Sequence, residues 1–185
     1  MQAIIGILRG VNVGGHNLIS MQALRDLCGS LGLENAQTYV QSGNVVFTSR
    51  ERNLQALAQR IEAALEKAFG FHAAVILRTA AEMRRVIAQN PFAKRSDVEP
   101  NKLHVTFLAE GIGAEVQRQL EAIQVGPEEI KAQAREVYVY YPHGMGQSKL
   151  PAAMERVLKK TGTARNWNSV ARLLEMAARL EGPKA

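Results

Sequence analysis

The residues best suited to chemistry lie in the loop Arg9 to Asn17, RGVNVGGHN. Arg9 carries a fixed positive charge, and His16 an imidazole that can hold or release a proton. Gly10, Gly14 and Gly15 let the chain turn its backbone N–H groups toward an anion, as loops between a strand and a helix often do. Asn12 and Asn17 add side-chain amides. A second polar turn, Gln41, Ser42, Gly43 and Asn44, adds two more amides and a hydroxyl. A charge beside exposed amides is the arrangement that holds a small anion such as a phosphate. The pattern is not a Walker loop, which needs Gly-Lys-Ser/Thr, nor Gly-x-Gly-x-x-Gly. The structural alternative is that the glycines make a tight turn while the Asn and Ser side chains satisfy its backbone.

Around these groups no catalytic constellation assembles. The four histidines, His16, His72, His104 and His143, lack metal-ligand spacing, and neither a second cysteine nor a carboxylate pair completes one. Ser42 lacks the Gly-x-Ser-x-Gly elbow. Cys28, the single cysteine, falls between Leu27 and Leu31 of an amphipathic pattern and reads as a small core residue. No metal site and no cofactor are expected, and whether the protein is an enzyme stays open. A further polar cluster, Arg165-Asn166-Trp167-Asn168, opens the last apolar pattern. Asn166 suits a helix N-cap and Trp167 a core anchor. Arg165 and Asn168 join the candidate ligand-binding set if the two halves pack with those sheet edges together.

The elements that position these groups follow from periodicity. Ile4, Ile5, Ile7 and Leu8 form a buried-strand run, and Ser20 caps a helix carrying Met21, Leu24, Leu27 and Leu31, which Gly32 stops. Residues 37–41 and 45–48 read as strands parted by a short Gly-containing hairpin turn. A helix from Asn53 to Gly70 and a strand over 72–78 complete a set ordered strand, helix, strand, strand, helix, strand. That order is the ferredoxin-like split βαβ unit. Its topology sends the loop after the first strand and the hairpin between the second and third to one sheet edge.

A capping box, Thr79 to Glu82, opens another helix, which Asn90-Pro91 ends. The second half repeats the order with strands at 102–108, 129–134 and 136–141 and helices at 113–123 and 150–160. A helix stands where the closing strand would be. The expected fold is α+β: two tandem ferredoxin-like halves (alpha-beta plaits) with antiparallel sheets, residues 1–89 and 102–185. The connecting segment is 90–101, and the second half ends in a helix. Tyr138 and Tyr140 share one strand face and are read as sheet packing, since the RNA-recognition signature is absent.

At 185 residues and 46% hydrophobic, the chain can bury a sizeable core. It lacks a long apolar run and a leader pattern, so a soluble cytoplasmic protein without a membrane partner is expected. The formal charge is +6, all of it in the last third: residues 1–130 balance, while 131–185 carry ten Lys and Arg against four acids. Lys149, Arg156, Lys159 and Lys160 contribute, and Arg165, Arg172 and Arg179 recur every seven residues along one flank. Two function classes follow: a small anionic ligand at the sheet end of the first half, or nucleic acid on the basic last third. A scaffold whose polar turns only fix the fold is the third. The oligomeric state is open.

The segments RGVNVGGHN, TYVQSGNVVF, SKLPAAMERVLKK and TARNWNSVARLLEM resemble the bacterial family called Domain of Unknown Function sixteen-ninety-seven, over nearly the whole chain. The resemblance implies two tandem ferredoxin-like plaits and no settled activity. Similar proteins often carry Lys or Arg where this chain has His16, and Pro where it has Ser20.

Overall fold

The computed structural model describes residues 1–159 and 162–182, which fall into two compact units: Met1–Arg85 with the segment from Arg172 onward, and Val86–Ala171. Lys160, the end of the expected helix 150–160, lies outside the described residues. The first unit runs β1 (Gln2–Leu8), α1 (Met21–Ser30), β2 (Glu34–Thr38), β3 (Asn44–Ser49), α2 (Leu54–Phe69) and β4 (Val75–Thr79), followed by α3 (Ala80–Ala88). Its sheet is antiparallel in the order β2-β3-β1-β4, with the third strand between the first and second. Ile4, Leu8, Val45, Phe47, Val75 and Leu77 present one face to Leu24 and Cys28 of α1 and to Leu57, Ile61 and Leu65 of α2. Alternation along the strands and 3.6-residue spacing along the helices bring these residues together. Cys28 is fully buried, and burial pushes its thiol up to about 11, so it behaves as an apolar core residue.

The helix ends follow local chemistry. Ser20 Oγ accepts from Ala23 N–H, Asn53 Oδ1 accepts from Ala56 N–H, and Gly70 closes α2 at φ +77°. Thr79 and Glu82 form a reciprocal capping box: Thr79 N–H donates to Glu82 at 2.8 Å, and Glu82 N–H to Thr79 Oγ1 at 3.1 Å.

In the second unit, β5 (Leu103–Leu108), α4 (Ala114–Glu121), β6 (Glu129–Gln133), β7 (Glu136–Tyr140), α5 (Leu150–Leu158) and β8 (Gly162–Asn166) repeat the order, with strands arranged β6-β7-β5-β8. α6 (Trp167–Glu181) follows, its residues from Arg172 on belonging to the first unit. A closing strand is present where a helix alone was expected: β8 pairs antiparallel with β5, Thr106 opposite Ala164. Its five residues, GTARN, are mostly polar and half-exposed on an edge, so no apolar run announces it. Segment 90–101 is anchored to this unit. Arg95 stacks 5.7 Å from the ring centres of both Phe92 and Tyr140 and binds Asp97 and Glu129.

His104 on β5 packs edge-on against Tyr141, with ring centres 5.3 Å apart. Burial holds its imidazole below the usual range, outweighing the Lys102 carbonyl, which favours the proton. In the unfolded chain the group takes up its proton near its ordinary pKa of about 6.5. The linked stability is therefore complete above that pH and is lost as pH falls below it toward the folded value. Urea unfolding followed from about pH 7.5 down to about pH 5 should show this loss, and His104→Gln should reduce its slope.

Candidate functional site

β1 and β3 run antiparallel with Ile7 opposite Asn44, so the loop leaving β1 and the loop entering β3 share one sheet edge. Leu8 N–H donates to Gly43 O at 2.8 Å, and Arg9 N–H to Ala74 O at 2.9 Å. Beyond Arg9 the chain forms a miniature hairpin: Asn12 N–H donates to Asn17 O at 3.1 Å and His16 N–H to Val13 O at 3.0 Å. Gly14 (φ +59°) and Gly15 (φ +77°) fill its two central positions, both left-handed, the mirror-image turn that glycine accepts without strain. Asn12 and Asn17 are also left-handed, a conformation Asn tolerates better than most residues.

Asn12 ties the two loops together. Its Nδ2 donates to Ile19 O at 2.9 Å and to Gln41 O at 2.8 Å, and its Oδ1 accepts from Ile19 N–H at 2.8 Å. Both amide protons are thereby used within the protein. Asn17 Nδ2 donates to Gly10 O at 3.0 Å, and the fully buried Asn44 donates to Tyr39 O at 3.2 Å and Ser42 Oγ at 2.8 Å. Hence Asn12, Asn17 and Asn44 hold the loops, and Ser42 accepts from Asn44. The outward face is left to Gly10, Gly14, Gly15, His16 and Gln41, all exposed, beside the half-buried Arg9. The loop then enters α1, whose first turn carries no acidic residue to offset the positive end of the helix dipole.

The β2–β3 connection differs from the sequence expectation. β2 occupies Glu34–Thr38 instead of residues 37–41, and Tyr39–Gly43 form a five-residue loop. Val40, β-branched and expected within the strand, stands left-handed at φ +50°, beyond the strand's end at Thr38. Gly43 (φ +70°) fits because the chain passes close to β1: a Cβ there would lie 2.9 Å from Leu8 Cβ and 3.2 Å from Val11 Cβ.

Arg165 and Asn168 belong to the second unit. Arg165 is in β8, not on a helix flank, so the seven-residue spacing with Arg172 and Arg179 makes no continuous stripe. Its Nη1 donates to Thr163 Oγ1 at 2.9 Å and Ala164 O at 2.8 Å, and burial brings its guanidinium down to about 10. Asn166 Oδ1 accepts from Asn168 N–H at 2.9 Å, capping α6 as expected, and Trp167, expected as a core anchor, is half-buried. Along α6, Arg172 and Arg179 both pair with Glu175, so part of the basic excess is internally balanced. Tyr138 and Tyr140 are buried in sheet packing, their hydroxyls donating to Val86 O and Asp97 O. A cavity of about 340 Å³ lies in this unit among Thr106, Tyr141, Met154, Leu158, Gly162 and Ala164, and no sequence motif marks it. Among the described residues no group of His, Cys, Asp and Glu is placed to hold a metal ion, and no helix is long and apolar enough to cross a membrane.

The model of a family described as "Protein of unknown function (DUF1697)" matches residues 1–138. No curated protein matches the chain. Among solved structures, the conserved bacterial protein SP0830 from Streptococcus pneumoniae is similar, with a TM-score of 0.72 and 22% identity over 95% of this chain and 98% of that one. At that identity the likeness concerns the fold alone.

Proposed function

The chain belongs to the DUF1697 family of proteins of unknown function, and from that premise we propose that it binds a small anionic molecule at the sheet end formed by Arg9–Asn17 and Gln41–Asn44. We read each unit as a ferredoxin-like plait, a reading supported by the shared element order and the matching strand orders. The observation that carries the proposal is the Asn12 bridge to Gln41 O, which fixes two polar loops side by side. Neither loop contains Asp or Glu, so the local field favours an anion. In this reading Arg9 supplies the fixed charge, and His16 and Gln41 supply donors. Gly10, Gly14 and Gly15 let the ligand approach the backbone, while Asn12, Asn17, Ser42 and Asn44 preorganise the loops. Arg165 and Asn168 are not needed.

Inorganic phosphate should raise the melting temperature of the wild type saturably. Arg9→Ala should fold with nearly unchanged stability and lose most of that shift, because a half-exposed charge contributes little to folding and much to holding an anion. An Arg9→Ala variant that keeps the full shift places the anion elsewhere.

A further inference from the structure

Three strongly exposed apolar side chains sit at this same sheet end: Val13 is 62%, Leu18 68% and Val40 52% exposed. Each is the chain neighbour of a residue in the Asn12 node. Val13 follows Asn12, Leu18 precedes Ile19, and Val40 precedes Gln41, the latter two being the residues whose carbonyls Asn12 holds at 2.9 and 2.8 Å. With about 3.8 Å between consecutive Cα atoms, the backbones of all three lie close to that node. Val40 also stands at φ +50°, where a β-branched side chain strains the backbone and Asn or Gly would not. With half of its surface left exposed at that φ, valine contributes little to folding at this position.

Resting on the reading above, we propose that the ligand is an organic phosphate with an apolar body, its charged head at Arg9–His16 and its body on Val13, Leu18 and Val40. Charge selects the head: residues 9–20 and 39–43 contain no carboxylate, and neither does the first turn of α1. Size selects a small molecule. A specific protein interface covers about 800 Å² per partner with roughly 20 residues a side, far more than three aliphatic side chains on two loops offer.

The test uses the full chain with inorganic phosphate, methyl phosphate, butyl phosphate and hexyl phosphate, titrated by calorimetry. Wild-type affinity should rise with chain length, by up to about fourfold per methylene if each is fully buried. The variant Val13→Ser, Leu18→Ser, Val40→Asn should bind inorganic phosphate as the wild type does and lose the length dependence. Val40→Asn alone should raise the melting temperature while flattening the series. Equal wild-type affinity for inorganic and hexyl phosphate overturns this inference and leaves the anion reading standing, as does a length dependence that survives in the triple variant. Binding of none of the four overturns both. Dimerisation, or pelleting with anionic vesicles, without any response to the soluble alkyl phosphates makes a second copy or a lipid surface the occupant and overturns the small-molecule proposal.

Discussion

Gly43→Ala is expected to destabilise the protein by about 3 kcal/mol. Two effects add: a left-handed alanine costs roughly 1–2 kcal/mol, and forcing a methyl into an occupied space costs roughly 1–3 kcal/mol more. The geometry is specific, with φ +70° and the new Cβ only 2.9 Å from Leu8 Cβ and 3.2 Å from Val11 Cβ. Neither neighbour can swing away, because both are Cβ atoms fixed to a backbone that Leu8 N–H ties to Gly43 O at 2.8 Å. Relief must come from moving the β2–β3 loop off the end of β1. Chemical denaturation measures the loss, and the same variant should lose phosphate binding. Gly14→Ala is the comparison: it shares a left-handed φ of +59°, but its Cβ would meet nothing closer than His16 at 3.9 Å, so only the backbone cost of about 1–2 kcal/mol applies.

The second large effect is Asn12→Ala, with an expected loss also of about 3 kcal/mol. Three hydrogen bonds disappear, each worth about 1 kcal/mol net, and alanine at φ +56° adds strain. Water can reach the Gln41 carbonyl, which moderates the loss there. Asn12→Gly separates the contributions, since it removes the bridge without the left-handed penalty and should recover about 1 kcal/mol relative to alanine. Denaturant midpoints of the two variants provide the measurement.

These two residues also mark how far the sequence could be read. Strand runs, helix caps and the capping box at Thr79 were legible because each has a local pattern, and topology alone brought residues 9–17 and 41–44 to one edge. What their amides do there was not legible. Asn12 donates to carbonyls seven and twenty-nine residues away, and no local pattern encodes such partners. Val40 misled because its β-branched side chain suits a strand while its backbone is left-handed, an override that comes from the loop closing onto β1. β8 was hidden because an edge strand needs few apolar residues. Nor does the charge pattern tell that Arg165 lies half-buried in a strand or that Arg172 and Arg179 share Glu175.

An anion bound where Asn12 joins the two loops must perturb the amides around it, which a titration of inorganic phosphate into isotope-labelled protein, followed by backbone amide NMR shifts, reads residue by residue. Saturable shifts should concentrate at residues 9–20 and 40–44 and weaken throughout in Arg9→Ala. Shifts concentrated instead at Lys149–Lys159 or along α6, around the cavity near Tyr141, or nowhere at saturating phosphate would contradict binding there.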